Sequence, residues 1–309
     1  MGRADVYPQP EAGDPVLADY VVLDLARRHV HDAVRVTTVD ESGGEARVYI
    51  IDDAVVVKTQ RPNRLRPRTS LAKEAYLLDH LAQSLDGRIP RLLGFDRVDT
   101  DQGTVEYVCM TRMPGVAIRH ATVPTDVRHG VLRELAGLLS TLHHTRIDHD
   151  RMPTDTDAAA LRRRLEYGFA DIVDAFAGRD LAPLPAPLGE VIERTLASLP
   201  AESSQAPLPL HSNPGPSHVL VDPDTGRFTG LIDFGDAYAS HPVLDLHRFA
   251  DPADRILLRK AYLDGASAGP EFDLMWTVAM IYSDLAAIAG GSPHTADALR
   301  DLAVRLDNL

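Results

Sequence analysis

Two apolar runs in the last third of the chain constrain its fold more than any other feature. The segment LPLHSNPGPSHVLVD (208–222) places a His and a tight Pro/Gly loop before residues that predict a β-strand. The segment FTGLIDFGDA (228–237) predicts a second strand, which ends in acidic residues. Carboxylates at a strand end are the oxygen ligands that divalent ions prefer. We therefore expect a hairpin with a metal site at its mouth.

Length and charge limit the class of protein. The chain has 309 residues, of which 44% are hydrophobic, so it can form two domains with a real core. Its net charge of −13 argues against general nucleic-acid binding, because such binding needs cations that replace counterions. An acidic surface would attract a cationic ligand, but it is also an ordinary soluble surface. We expect no nucleic-acid partner.

The sequence also indicates a compartment. Cys109 is the single cysteine, so no intramolecular disulfide can form, and a reducing environment is the simplest expectation. The first residues contain no apolar signal core, and we expect no apolar run of membrane-spanning length. These features predict a cytoplasmic protein without a membrane partner.

The order of the predicted elements indicates two lobes. Five strand-like segments surround one amphipathic helix, SLAKEAYLLDHLAQSL, for which Ser70 is the predicted N-cap. The residues MPG (113–115) break this pattern, and the next segment predicts a helix that Thr125 caps. The fold class is therefore α+β, with a small β-rich N-terminal lobe over residues 1–112 and a larger, mostly helical C-terminal lobe over residues 113–309. Ligands favour the cleft between such lobes.

Lys58 is the one charge on an otherwise apolar strand, AVVVKT. A buried lysine needs a partner, and Glu74 on the following helix is the nearest candidate. A lysine at a strand end can also simply reach water. The preceding loop contains Gly43 and Gly44, which would let backbone N–H groups approach phosphates, although two glycines are equally typical of a hairpin turn. With this loop before it, the Lys–Glu pair predicts a phosphate-binding site.

Two carboxylates follow the strand TGLID. Asp233 ends the strand and is the better metal candidate, because carboxylate oxygens at a strand end suit a divalent ion. Asp236 comes three residues later and is expected to cap a following helix.

The order of these parts is more specific than any one of them. The chain has the same order of parts as a kinase. These parts are a glycine loop, a strand Lys, a helix Glu, a hinge, a His-x-Asn loop and a strand Asp. On these residues the chain resembles the aminoglycoside phosphotransferase family, relatives of choline kinases and protein kinases. The resemblance spans roughly residues 30 to 265 and depends on HSNPGPSHVLVD, IDFGDA and HPVLDL.

The resemblance implies a bilobal protein-kinase-like fold and a small-molecule O-phosphotransferase. Such an enzyme would move the γ-phosphate of ATP or GTP, with Mg²⁺, to a hydroxyl of an antibiotic-like molecule. Lys58 would hold the phosphates, Glu74 would orient Lys58, and Asp233 would carry the metal. The backbone near Thr111 and Met113 would meet the purine. The same resemblance implies that Asp245, in HPVLDL, supports the catalytic loop.

The catalytic loop, which begins at His211, departs from the family pattern H-G-D-x-x-x-x-N at two positions. Asn213 replaces the Asp that accepts the substrate's proton; Asn cannot take a proton at neutral pH but can orient a hydroxyl. His218 replaces the Asn that binds the second metal, and imidazole is a poor Mg²⁺ ligand. We expect His218 near the phosphates or the second metal site. General-base catalysis typically raises the reaction rate by roughly 10²–10⁴-fold. Asn213 at the position of the base therefore predicts a slow enzyme.

Asn213 leaves three explanations open. The protein is a natural binder that lost catalysis, an active enzyme whose base lies elsewhere, or an engineered Asp-to-Asn variant. The alternative function is accordingly a catalytically impaired kinase-like binding or regulatory protein. A protein kinase is disfavoured, because only a few residues separate IDFGDA from HPVLDL, which leaves no long activation segment for a peptide.

The acceptor-binding region implied by the family is about residues 155–200 together with the catalytic loop. It carries six acidic residues: Asp155, Asp157, Glu166, Asp171, Asp174 and Glu190. An acidic rim suits a polyamine antibiotic, but three consecutive arginines, 162–164, dilute it. The resemblance implies a hydroxyl-bearing small molecule, often an antibiotic, and no residue here identifies a particular one.

Overall fold

The computed structural model describes residues 16–41, 44–61, 63, 70–101, 103–179, 184–203 and 205–309. The chain divides into two units. Unit 1 comprises Met1–Pro153 and His211–Tyr238, and unit 2 comprises Thr154–Leu210 and Ala239–Leu309. The predicted lobe boundary between residues 112 and 113 is a different division and stays a prediction.

The strands and the helices come largely in runs along the chain. In chain order they are α1 (Asp19–Arg27), β1 (Val36–Asp40), β2 (Ala46–Ile51), β3 (Val55–Gln60), α2 (Leu71–Leu81), β4 (Leu92–Thr100), β5 (Gly103–Thr111), β6 (Val116–Ala117), α3 (Thr125–His143), α4 (Ala158–Phe176), α5 (Leu188–Ala197), β7 (Leu208–Leu210), β8 (Val219–Val221), β9 (Phe228–Leu231), β10 (Tyr238–Ser240), α6 (Pro252–Leu263), α7 (Pro270–Ala289) and α8 (Thr295–Asp307). The predicted class, α+β, is confirmed.

A five-stranded antiparallel sheet forms the first part of unit 1, in the order β1-β2-β3-β5-β4. Side chains alternate between its faces with the period of two that pleated strands impose. One face packs with α1 into a core that includes Tyr49, Ile51, Val57, Tyr107 and Cys109. The opposite face presents Val48, Ile50, Val56, Lys58 and Met110 to a cavity. The alternation thus places the strand lysine on the cavity face.

Helix α2 begins as its sequence predicts. The Ser70 side chain accepts a hydrogen bond from the Lys73 backbone N–H at 3.3 Å, which satisfies one of the free donors of the first turn. Leu77, Leu78 and Leu81 are fully buried and fix the helix to unit 1. Glu74 lies in the first turn with only 1% of its surface exposed.

The second part of unit 1 is a small antiparallel sheet, in the order β6-β8-β9. Gly230 is required in β9, since a Cβ there would lie 2.4 Å from Met113 Cε and 2.8 Å from the Arg88 carbonyl oxygen. Helix α3 begins at Thr125 itself, and Pro124 occupies the cap position without a side-chain hydrogen bond. The predicted capping role of Thr125 is therefore wrong.

Unit 2 is mostly helical. Its helices α4 to α8 bury apolar stripes, and β7 pairs with β10. Asp245 is fully buried in a 3₁₀ turn, Pro242–Asp245. Among the described helices, α7 is by length and composition able to cross a membrane, which the sequence analysis overlooked; half of its apolar window is buried, as in a core helix.

Candidate active site

A cleft of about 580 Å³ lies within unit 1 and is lined by both of its sheets. The five-stranded sheet contributes its outward face, and the segment after β5 contributes residues 111–113. The other wall comes from the loop between β7 and β8 and from the end of β9. The predicted site residues that line the cleft are Gly44, Lys58, Glu74, Thr111, Met113, Asn213, His218 and Asp233.

Lys58 joins two carboxylates that are far apart in the sequence. Its Nζ lies 2.9 Å from Glu74 Oε2 and 2.7 Å from Asp233 Oδ1. Glu74 also accepts a hydrogen bond from the Phe234 backbone N–H at 3.3 Å. Helix α2, strand β3 and the end of β9 are thus tied together at one point.

The charges of this cluster stabilise one another. Burial lowers the pKa of Lys58, but Asp233 and Glu74 outweigh it and raise that pKa above its usual value. Burial raises the pKa of Asp233, but Lys58 and then His218 outweigh it, so that carboxyl has a pKa below its ordinary value. For Glu74 burial dominates over Lys58, and its pKa is raised. Asp233 is therefore the carboxylate that is held ionised.

Backbone strain marks both ends of the site. Asp233 has φ of 73° and Ser212 has φ of 83°, in the left-handed region that residues other than glycine rarely adopt. Such conformations persist only where the surrounding structure enforces them, and they concentrate at functional sites.

His211 holds the loop between β7 and β8 against the end of β9. It is fully buried, and its ring packs edge-on against Phe234 with centroids 4.7 Å apart. Its Nε2 lies 2.9 Å from the Ile232 carbonyl oxygen, and its Nδ1 accepts a hydrogen bond from the Asn213 backbone N–H at 3.2 Å. These partners assign a neutral ring that donates through Nε2. His211 is thus placed to position the loop.

His218 and Asn213 share one turn of this loop. His218 Nδ1 lies 2.8 Å from the Asn213 carbonyl oxygen, to which only an N–H can donate. His218 Nε2 then lies 3.3 Å from Asp233 Oδ2. The side chain of Asn213 is exposed to the cleft, and its amide has no hydrogen-bond partner within the described part of the chain.

The segment after β5 is fixed by backbone hydrogen bonds. Thr111 N–H donates to the Arg91 carbonyl oxygen at 2.9 Å, and Arg112 N–H donates to the Ala54 carbonyl oxygen at 2.8 Å. Gly44 lies on the cleft wall, whereas Gly43 lies outside the described residues.

Two residues of the cleft differ from the sequence analysis. No helix follows Asp236, which lies in the turn between β9 and β10 and lines the cleft, so its predicted role as a helix cap is wrong. Arg119 also lines the cleft and was missed. Its segment carries no motif, and long-range contacts with Pro216 and Ser217 bring it to the site.

Unit 2 contains a cavity of its own, of about 330 Å³. Its wall includes Asp155, Asp157 and Glu202, from the acidic region singled out in the sequence and the segment after α5. Asp155 forms a two-pronged ion pair with Arg164, and Asp157 caps α4 by accepting from the Ala160 backbone N–H at 2.7 Å. Two of the three carboxylates thus already have partners.

A paired lysine, an ionised strand-end aspartate and a His/Asn loop in one cleft are the parts of a kinase-like phosphate-transfer site. The family model of the phosphotransferase enzyme family (APH) matches residues 36–276, more than half of the chain. The chain belongs to this family, as its motifs predict.

Known relatives agree with this assignment. An aminoglycoside 3'-phosphotransferase from Streptomyces ribosidificus is 29% identical over 180 residues, which are 56% of this chain and 64% of the relative. The match therefore spans less than two thirds of the relative's length.

Solved structures show the same fold. The GDP complex of wild-type aminoglycoside 2'-phosphotransferase-IIIa is similar over 94% of this chain and 99% of its own, with a TM-score of 0.62 and 15% identity. A macrolide 2'-phosphotransferase from Brachybacterium faecium is similar over 94% and 98%, with a TM-score of 0.54 and 22% identity. The predicted kinase-like fold, with a β-rich N-terminal lobe and a helical C-terminal lobe, is confirmed.

Proposed function

We propose that this protein is a small-molecule O-phosphotransferase that moves the γ-phosphate of ATP or GTP to a hydroxyl of an antibiotic-like acceptor. One observation carries the proposal: Lys58 contacts both Glu74 and Asp233 in a cleft that Asn213 and His218 also line. Phosphoryl transfer depends mainly on positioning and charge neutralisation, and this arrangement supplies both.

The donor nucleotide has a place along the cleft. Lys58 would bind its phosphates, and Glu74 would hold the lysine in position. Gly44 would bring the backbone close to the phosphates, and the backbone of Thr111 and Met113 would meet the purine. A nucleotide fits the family, since one structural relative is a GDP complex.

The donor set suits one Mg²⁺ better than two. Within the described residues, no group of three or more His, Cys, Asp or Glu side chains could hold a metal ion. Mg²⁺ commonly uses one or two carboxylates and completes its shell with phosphates and water, a demand that Asp233 meets. His218 offers nitrogen, which Mg²⁺ binds poorly, so we place it as a partner of Asp233 and of the phosphates. Bound Mg²⁺ would neutralise the charge that develops on the phosphates.

Asn213 would orient the acceptor hydroxyl without taking its proton. Its amide faces the cleft and can donate to or accept from a hydroxyl. The bond between the γ-phosphorus and the β-phosphate oxygen breaks as the bond to the acceptor oxygen forms, and the hydroxyl proton leaves to solvent. Because the base is missing, we expect turnover slower by roughly 10²–10⁴-fold than with a carboxylate at this position.

The relatives and the cavity of unit 2 support the proposed acceptor class. The named relatives are aminoglycoside and macrolide phosphotransferases, and both acceptor types carry hydroxyls. The cavity of unit 2 measures about 330 Å³ and has Glu202 exposed on its wall, while Asp155 and Asp157 already have partners. A hydroxyl-bearing, partly cationic antibiotic suits these walls.

The test compares the protein with its Asn213→Asp variant. Both are incubated with Mg²⁺, ATP or GTP and a panel of aminoglycosides, macrolides and nucleosides, and products are detected by the added mass of a phosphoryl group. We expect phosphorylation by both, and at least 10²-fold faster by the variant. Failure of both on every compound contradicts the proposal.

The second candidate is a nucleotide-binding protein without turnover. The observation that favours it is the amide of Asn213 at the position of the proton acceptor. Mg²⁺-dependent nucleotide binding by both proteins, with phosphorylation by neither, would support this reading over the enzyme.

A further inference from the structure

Arg119 is held against the catalytic loop on the wall of the cleft. It lies in the 3₁₀ turn Ile118–His120, which follows β6. Its backbone N–H donates to the Pro216 carbonyl oxygen at 3.1 Å, and its Nη1 donates to Ser217 Oγ at 3.1 Å. Pro216 and Ser217 directly precede His218, which contacts Asp233. Arg119 is thereby tied to the part of the loop that faces the metal candidate.

Within the described residues, Arg119 differs from the other two cations of the cleft because no carboxylate contacts it. Among the described residues, three cationic side chains line the cleft: Lys58, Arg112 and Arg119. Lys58 lies between two carboxylates, and Arg112 lies 3.4 Å from Asp53. Within the described residues, the guanidinium of Arg119 contacts a hydroxyl and the His120 ring, and no carboxylate.

The guanidinium retains free donors in a fixed orientation. Its Nε–H donates to His120 Nε2 at 2.9 Å, and one Nη1–H donates to Ser217. Three of the five N–H groups, one on Nη1 and two on Nη2, have no partner among the described residues. Such donors match phosphate and other paired oxygens, and holding them in place beforehand reduces the entropy lost on binding.

The cleft needs such a group for an anionic ligand. Among the described residues, its wall carries the carboxylates of Glu74 and Asp233, which both contact Lys58. A nucleoside triphosphate brings several further negative charges, and the charge of Lys58 is already shared. A cation without a carboxylate partner would offset this repulsion.

We propose that Arg119 is a further donor-binding residue, whose guanidinium contacts the sugar–phosphate part of the nucleotide. The inference rests on the proposed function, because it needs a nucleotide in this cleft. The sugar–phosphate part is favoured over the base, since Arg119 is tied to the loop that carries His218 and not to residues 111–113.

The experiment measures nucleotide binding and does not depend on turnover. MgATP and MgGTP are titrated calorimetrically into the protein and into Arg119→Gln, Arg112→Gln and Ser217→Ala. Free adenine, which lacks sugar and phosphates, is titrated in parallel by NMR. Arg112→Gln is the matched control, because it removes the same group from the same cleft where a carboxylate already pairs with it.

We expect Arg119→Gln to weaken nucleotide binding about tenfold, the size of one charge-assisted hydrogen bond, and to leave adenine binding unchanged. Arg112→Gln and Ser217→Ala should change nucleotide affinity less than threefold. The inference is wrong if Arg119→Gln binds nucleotide normally, if it loses adenine binding equally, or if Arg112→Gln weakens nucleotide binding as much.

These outcomes separate the inference from the function on which it rests. If the unaltered protein binds neither nucleotide, the proposed function falls, and the inference falls with it. If the unaltered protein binds and Arg119→Gln binds as well, only the inference falls.

Discussion

In each of two charge clusters, one central side chain contacts two side chains of opposite charge, and the signs of the charges are reversed between the clusters. In unit 1 one cation, Lys58, contacts two carboxylates, Glu74 and Asp233. In unit 2 one carboxylate, Asp284 on α7, contacts two guanidiniums: Arg255 on α6 at 3.7 Å and Arg305 on α8 at 2.9 Å.

Access to a cavity separates the two clusters. The Asp233 side chain is 42% exposed and lines the cleft, whereas the Asp284 side chain is fully enclosed and lines neither cavity described above. Burying charges is costly in both places. The enclosed cluster around Asp284 can only connect three helices. In the cluster around Lys58, which faces the cleft, a ligand can replace one of the partners. A buried charge therefore indicates a site only where one of its members still faces open space.

The largest expected effect is on activity, from Asp233→Asn. The substitution removes the one ionised metal candidate but keeps the left-handed backbone, which Asn tolerates well. We expect phosphoryl transfer to fall about 10³-fold, with the free energy of unfolding within about 1 kcal/mol because Lys58 still pairs with Glu74. Steady-state kinetics measure the rate of phosphoryl transfer, and urea unfolding measures the free energy of unfolding. Full activity in this variant would remove Asp233 from the mechanism.

The same substitution in unit 2, Asp284→Asn, should have the opposite profile. It leaves Arg255, whose side chain is only 2% exposed, without the carboxylate at 3.7 Å, while Arg305 keeps Asp301 at 3.2 Å. We expect a loss of roughly 3 kcal/mol in the free energy of unfolding. Turnover at 20 °C should stay within twofold. A large loss of turnover without a loss of stability would contradict the distinction between the clusters.

A smaller effect on activity is expected from Tyr76, through which α2 contacts the segment that follows α3. The Tyr76 ring lies 4.4 Å below the Arg151 guanidinium and stacks on His80, and its hydroxyl accepts from the Asp148 backbone N–H at 2.8 Å. Since α2 also carries Glu74, Tyr76→Ala should reduce kcat about tenfold by loosening the contact with Lys58. Tyr76→Phe, which keeps the ring, should retain most of the rate. Equal loss in both variants would show that the ring contacts are irrelevant.

The smallest effect concerns pH and lies in unit 2. Burial, and then Arg248 and Arg255, lower the pKa of His247 well below its usual 6.5. The unfolded chain takes up this proton near pH 6.5 and the folded chain does not, so stability is lost as pH falls below 6.5, by at most about 1.4 kcal/mol per pH unit. Between pH 6.5 and 5.5 the protein should lose about 1 kcal/mol more than His247→Gln in urea unfolding. Equal losses would mean that His247 does not titrate differently on folding.

Features that depend on neighbouring residues followed from the sequence. Ser70 caps α2 because its bond closes within one turn, and Lys58 points away from the α1 core because strand side chains alternate. The hairpin of β8 and β9 was predicted from its apolar runs and turn. In each case the physical cause lies within a few residues of the chain.

Two local patterns misled the sequence analysis. Thr125 and Asp236 both have the chemistry of a helix cap, yet α3 begins at Thr125 itself and no helix follows Asp236. A capping side chain is useful only where the chain enters a helix, and the direction of the chain after such a residue is decided by packing.

The sequence alone determined the fold class, the family and the residue types at the site, because motif order and periodicity are local properties. Only the tertiary structure decided that Lys58 meets Asp233, 175 residues further along, and that Arg119 meets Ser217. It also decided the left-handed backbone of Asp233. Contacts of this range form when two sheets close on one another, and no segment of the chain carries that information by itself.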